Sequence, residues 1–270
     1  MAIRTISAFI ALPFFFVVVY LLPPVYLTVF VALIALVSVY ELLWRSKIVT
    51  EKALVCVGYI MALAVVLWAH FGYNSKFVLP AVFLLALLLF VIWMIKQKSI
   101  EFKQVTATIF GSTVIPLFLS SILGIMSSSN GIYLIIVPFM AAWITDTGAY
   151  FTGYFLGKHK LAPTISPKKT VEGAIGGVIV CVLSFIIYGF IMEKCFLLDA
   201  NYLVLAIAGL VLSPIAQIGD LSLSIIKREY NIKDYGVIFP GHGGILDRFD
   251  SVLFTAPATL IILNFITLIA

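Results

Sequence analysis

The run "TISAFIALPFFFVVVYLLPPVYLTVFVALIALVSVY", Thr5–Tyr40, contains no Asp, Glu, Lys or Arg. A bilayer core asks for about 20 consecutive apolar residues of helix. This run holds enough for two helices, and Pro23-Pro24 is the natural break between them. The rest of the chain repeats the pattern. No charge lies between Lys103 and Asp146. Shorter uncharged runs separate Lys52 from Lys76, Lys76 from Lys96, Glu172 from Glu193, and Asp199 from Asp220, and nothing after Asp250 is charged. Of 270 residues, 63% are hydrophobic and 11% charged, against roughly a quarter charged in ordinary soluble domains. The fold class read from this is an all-α polytopic membrane protein.

The runs divide into about nine transmembrane helices, at 4–21, 25–44, 51–70, 77–95, 104–126, 131–156, 170–193, 201–228 and 249–269. "SSSNG" at 127–131 supplies turn formers between two of them. A cleaved signal peptide competes for the first run, but no small-residue cleavage site is clear, so a retained helix is expected. With nine helices, all but two of the 17 Lys and Arg residues fall on one side, the exceptions being Lys76 and Lys194. Excess Lys and Arg mark the cytoplasmic side. The N-terminus and both long polar connections are therefore expected in the cytoplasm, and the membrane is expected to be a bacterial inner membrane. The basic pI of about 9.0 is read as this orientation signal and not as nucleic-acid binding. Cys56, Cys181 and Cys195 show neither pairing nor metal spacing, so they read as plain thiols. Residues 1–103 are expected to be scaffold, and 104–270 to carry the site.

Three features are costly in such a chain. Asp146 lies inside an apolar span, some 10–15 Å below the cytoplasmic face at 1.5 Å per residue. A charge there costs at least about 2.5–3.5 kcal/mol, which calls for a wet cavity or a partner on a neighbouring helix. In "KHKLAPTISPKKTVEGAIGG", Ser166-Pro167 reads as a helix start, which would put Lys168, Lys169 and Thr170 at a helix N-terminus where anions bind. A basic loop touching lipid headgroups is the blander alternative. Glu172, an acid among lysines, points to a structured pocket, and Gly173, Gly176 and Gly177 to close helix packing.

The third feature is "GDLSLSIIKREYNIKDYGVIFPGHGGILDRFD", Gly219–Asp250. Asp220, Ser224, Lys227 and Arg228 recur at helical spacing on one face. A glycine-rich turn follows, then Asp247 and Asp250, three apart. Clustered acids suit a divalent cation and clustered bases suit phosphate. Mg²⁺ prefers carboxylate oxygen and bridges to substrate phosphates. A polar cavity open to the cytoplasm and built this way fits phosphoryl or nucleotidyl transfer. Asp220 and Asp247 are expected to share a cation.

The same residues resemble the signature of the phosphatidate cytidylyltransferases, or CDP-diacylglycerol synthases. The matching positions are Ser224 (or Ser222), Lys227-Arg228, Lys233-Asp234, His242-Gly243-Gly244, and Asp247-Arg248 with Asp250. Upstream, Asp146, Ser166-Pro167, Lys169-Thr170, Glu172 and Gly173 resemble the family's second block; Tyr154 stands where the family often has Arg or Lys. The motifs cover roughly 141–255, and the first 140 residues match in hydropathy alone.

The resemblance implies a reaction in which CTP and phosphatidate give CDP-diacylglycerol and pyrophosphate with Mg²⁺, at a site open to both cytoplasm and lipid. Asp220, Asp247, Lys227 and Arg228 are then the expected catalytic residues. Asp220, Asp247, Asp250 and Asp146 are the expected metal ligands, with room for a second cation. Lys169, Ser224, His242, Gly243, Arg248, Ser166 and Thr170 are expected to bind substrate. The lipid bilayer is the expected setting, nucleic acid is not an expected partner, and a homodimer is allowed without being required. A cation-coupled transporter would also use intramembrane Asp146 and Asp220, but it gives no reason for a His-Gly-Gly turn between Lys-Arg and Asp-x-x-Asp. The Asp-Gly-x-x-Ala-Arg motif of the CDP-alcohol phosphotransferases, another lipid-nucleotide family, is absent.

Overall fold

A computed structural model describes residues 13, 16–72, 76, 78–238 and 243–269. Seven helices in it are long and apolar enough to cross a membrane: α1 Pro24–Arg45, α2 Lys52–His70, α3 Val78–Ile95, α4 Phe102–Met126, α5 Gly131–Leu156, α6 Val171–Phe196 and α7 Tyr202–Glu229. A hairpin of β1 Lys160–Ala162 and β2 Ser166–Thr170 joins α5 to α6. A one-turn α8, Leu246–Phe249, and a shorter apolar α9, Val252–Phe265, complete the chain. The chain is an all-α polytopic membrane protein.

The local signals are physical. Pro24 opens α1, at a position where its missing N–H costs no helix bond. Asn130, at φ 58°, turns the chain between α4 and α5. Just after it, a Cβ on Gly131 would overlap the carbonyl oxygens of Ile125 and Met126.

Two sequence expectations change, and a third falls mostly on residues that are not described. The first expected helix lies mostly outside the described residues; Val17–Leu21 within it is a π-helical turn. The ninth is cut to 14 residues, about 21 Å at 1.5 Å per residue and short of a roughly 30 Å core. Beyond it the chain is extended, and Ile269 bridges to Ala200. The helix expected at Ser166-Pro167 begins at Val171 instead. Residues before that run as β2, Lys160 pairing with Thr170 and Ala162 with Ser166. Thr170 supplies the cap, its hydroxyl accepting the Gly173 N–H at 3.2 Å. A side-chain acceptor at that position stabilises a helix start by about 1 kcal/mol, which Ser166 does not provide here.

The chain forms two compact units. The first comprises residues 1–124 and 230–249. In it α1 packs on α2, and α2 on α3 and α4. Both α1 and α4 contain a π-helical stretch, Tyr40–Arg45 and Phe110–Val114. The outer helix α3 leaves Leu79, Phe83, Leu84, Met94 and Ile95 exposed, as a lipid-facing helix does.

The second unit comprises residues 125–229 and 250–270. There α5, α6, α7 and α9 pack as a bundle. The expectation of close packing at glycine is met between α5 and α6. A Cβ on Gly176 would overlap Thr152, one on Gly177 would lie 2.9 Å from the Thr145 carbonyl, and one on Gly173 would lie 2.7 Å from that of Ala149.

Candidate active site

In the second unit, α7 and the start of α9 touch at Gly219, where a Cβ would come 2.9 Å from the Asp250 carbonyl and 2.8 Å from the Phe254 ring. That contact sets Asp220 beside Asp250. The Asp250 side chain is buried, and Ser251 N–H donates to its Oδ1 at 2.8 Å. It faces the negative charges of Asp220 and Asp146 and the positive charge of Lys227. Three acids from α5, α7 and the residues before α9 thus share one electrostatic neighbourhood. Asp146 is exposed although it lies mid-helix.

Lys169 reaches this group from β2 and is ion-paired with Asp220. Alternation along the strand separates the two lysines. Lys169 is partly buried and turned toward Asp220, while Lys168 is exposed. On α7, Ser224 and Lys227 are buried, each 8% exposed. Arg228, expected on the same face, is exposed, and its Nε donates to the Ile165 carbonyl at 3.1 Å. It holds the β1–β2 turn. Ser166 is half-buried at the start of β2, and Thr170 is buried as the cap of α6. Glu172 closes the loop before the hairpin, accepting the N–H of Lys158 at 3.0 Å and of His159 at 3.2 Å, with His159 Nδ1 2.6 Å from its Oε1. The acid among lysines therefore folds the connection.

Among the described residues, no three His, Cys, Asp or Glu side chains form a group able to hold a metal unaided. Mg²⁺ does not need one, because it is usually bound by one or two carboxylates with water and substrate phosphate completing the shell. The hard-oxygen donors Asp220 and Asp250 fit that pattern.

The rest of the signature lies in the first unit. Asp247 is buried, and its Oδ2 accepts the N–H of Tyr235 at 2.8 Å and of Gly244 at 2.9 Å. Gly243 sits at φ 82°, a left-handed conformation that favours glycine. Arg248 is exposed. His242 lies outside the described residues.

With this geometry in place, the comparisons with known proteins decide the family. A model described as "Cytidylyltransferase family" matches residues 2–266. The chain is 34% identical over 271 residues to the phosphatidate cytidylyltransferase of Staphylococcus haemolyticus, covering 97% of this chain and 99% of that protein. The chain belongs to the phosphatidate cytidylyltransferase family. Proteins of the same name from Staphylococcus epidermidis and Staphylococcus aureus are 35% identical over 272 residues and 34% over 265, again across 97% of this chain. It is an enzyme, a nucleotidyltransferase.

The motif residues of this phosphatidate cytidylyltransferase family member are thus split between two stretches that fold by different means. One is a helical bundle tightened by glycine, and the other a looped segment held by backbone bonds to carboxylates. One of those carboxylates escaped the sequence reading. Glu41, on α1, is fully buried, and its Oε1 and Oε2 accept the N–H groups of Ile245 at 3.0 Å and Leu246 at 2.8 Å. A signal existed: Glu41 is the residue that ends the long uncharged run after Arg4. It looked like the polar end of a span.

Proposed function

We propose that this enzyme transfers a cytidylyl group from CTP to phosphatidate in the plane of a bacterial inner membrane, with Mg²⁺ and with its site facing the cytoplasm. The observation that carries this is the Lys169–Asp220 pair beside buried Asp250 and Lys227, in a chain similar along its length to proteins named for that reaction. A phosphatidate oxygen attacks the α-phosphorus of CTP. A new P–O bond forms to the lipid phosphate, the bond from the α-phosphorus to the bridging oxygen breaks, and pyrophosphate carries away the electron pair. The nucleophile is already an anion near neutral pH, so a protein base is not required.

Asp220 and Asp250 are proposed to hold the cation, with Asp146 supporting them. When bound, the cation would neutralise phosphate charge and polarise the attacked phosphorus. For Asp247, whose Oδ2 already accepts two backbone N–H groups, metal binding stands as a proposal tested by Asp247→Asn. Lys169 and Lys227 bind phosphate oxygens. Asp220 satisfies Lys169; with substrate bound, Lys169 would exchange that partner for phosphate, and Asp220 would be one of the carboxylates able to hold the cation. Ser224 orients a phosphate from one helical turn away. Arg228, Arg248 and His242 are assigned to phosphates, the arginines with fork geometry.

The deciding experiment supplies labelled CTP, phosphatidate and Mg²⁺ to purified protein. A chloroform-soluble cytidine product, absent when chelator replaces Mg²⁺, is expected. Release of the label only as free CMP would reject the reading.

A further inference from the structure

Glu41 is a carboxylate with no exposed surface, at the start of the π-helical stretch Tyr40–Arg45 of a membrane-spanning helix. A charge placed in hydrocarbon costs at least about 2.5–3.5 kcal/mol, so its surroundings must return something. They return two backbone N–H donors, from Ile245 and Leu246, residues distant in sequence that open α8. Both carboxylate oxygens are engaged, one by each donor.

The surrounding residues are shaped to the same group. A Cβ on Gly244 would overlap both carboxylate oxygens of Glu41, and a Cβ on Gly236 would overlap Oε1. Only glycine lets the backbone come this close. Asp247 works beside it, taking the N–H groups of Tyr235 and Gly244 on Oδ2. Two carboxylates that feel each other's charge are thereby held by four backbone donors of one short segment. That segment carries Gly243, Asp247 and Arg248.

We propose that Glu41 is a positioning residue: through Ile245 and Leu246 it sets the backbone of the segment that carries Asp247 and Arg248, so that α1 takes part in placing these two signature residues. The second glycine of the His-Gly-Gly turn is there to admit this carboxylate. The effect on turnover rests on the nucleotidyl-transfer reading; the contact itself does not.

The test compares wild type with Glu41→Gln in detergent or nanodiscs, by amide hydrogen exchange and by steady-state kinetics. Gln keeps the shape, but it offers one acceptor oxygen and presents an NH₂ donor to the other N–H. Exchange of the segment around Ile245 and Leu246 should rise tenfold or more while α5, α6 and α7 stay as in wild type. kcat should fall about tenfold or more, with KM for CTP changed less. Gly244→Ala leaves Glu41 in place and lifts the backbone from it, and should reproduce the local exchange pattern. Unchanged exchange around Ile245 and Leu246 in Glu41→Gln overturns the proposal. So does exchange that rises equally in every helix of both variants, or activity that falls only in proportion to folded protein. If wild type itself makes no lipid-soluble cytidine, the functional reading fails, while the exchange result still decides the anchoring.

Discussion

Lys169, at the inward position of a two-stranded hairpin, is ion-paired with Asp220 on α7, and the residue next to it in sequence, Lys168, is exposed. The pair joins the phosphate-binding and metal-binding halves of the proposed chemistry. It also ranks two adjacent lysines that composition cannot tell apart.

Lys169→Ala should therefore lower kcat/KM by about 10² or more, the scale seen when one preorganised electrostatic donor is removed. Lys168→Ala should stay within about threefold of wild type, as an exposed charge outside a defined site does. Kinetics of the two purified variants side by side check this, and the reverse ranking would show the strand register to be misread.

Asp220→Asn keeps size and shape and removes a charge. Turnover should fall to background at every Mg²⁺ concentration, while the melting temperature and gel-filtration profile match wild type. Asp250→Asn should also lose turnover. Wild-type rates in Asp220→Asn would take that residue out of the mechanism.

Thr170 separates two roles. As the buried N-cap of α6, its replacement by Ala should cost about 1 kcal/mol of stability, read as a lowered melting temperature. KM for CTP should hardly move. A large rise in KM with unchanged stability would instead make Thr170 a substrate contact, as the motif alone implied.

Gly176 faces Thr152 across the α5–α6 contact with no room for a Cβ. Gly176→Val should force the helices apart, at a cost of about 1–3 kcal/mol, and lower the yield of folded protein. Thr152→Ala, combined with a smaller insertion, Gly176→Ala, should recover part of it. Thermal unfolding of the single and double variants measures the coupling.

Arg228 has moved from the expected inner face to an exposed position, where it bonds the Ile165 carbonyl. Arg228→Lys keeps the charge and loses the planar fork. A threefold to tenfold loss of kcat/KM is expected, smaller than that of Lys227→Ala, whose side chain is buried beside Asp250. Equal losses from the two variants would mean that both reach the phosphates alike.

The membrane class was legible at once, because long uncharged runs such as Thr5–Tyr40 have few other stable uses. The site residues of α7 were legible too, since Asp220, Ser224 and Lys227 repeat with the period of a helix and a helix places such residues together without help. The glycines of α6 could be read as packing residues for the same local reason.

Three things were decided only by the fold. The start of α6 moved to Val171 because Thr170, and not Ser166, offers its hydroxyl to a free N–H, and a hairpin pairing absorbed the residues between. The apolar run after Asp250 ended as a 14-residue helix, and its tail runs extended to a bridge between Ile269 and Ala200. Glu41 became a partner of Ile245 and Leu246 across most of the chain. Periodicity and composition report what neighbours along the chain will do, since those contacts cost little entropy to form. A carboxylate that closes on backbone some two hundred positions away leaves no periodic trace, and only the packed structure shows which N–H groups it meets.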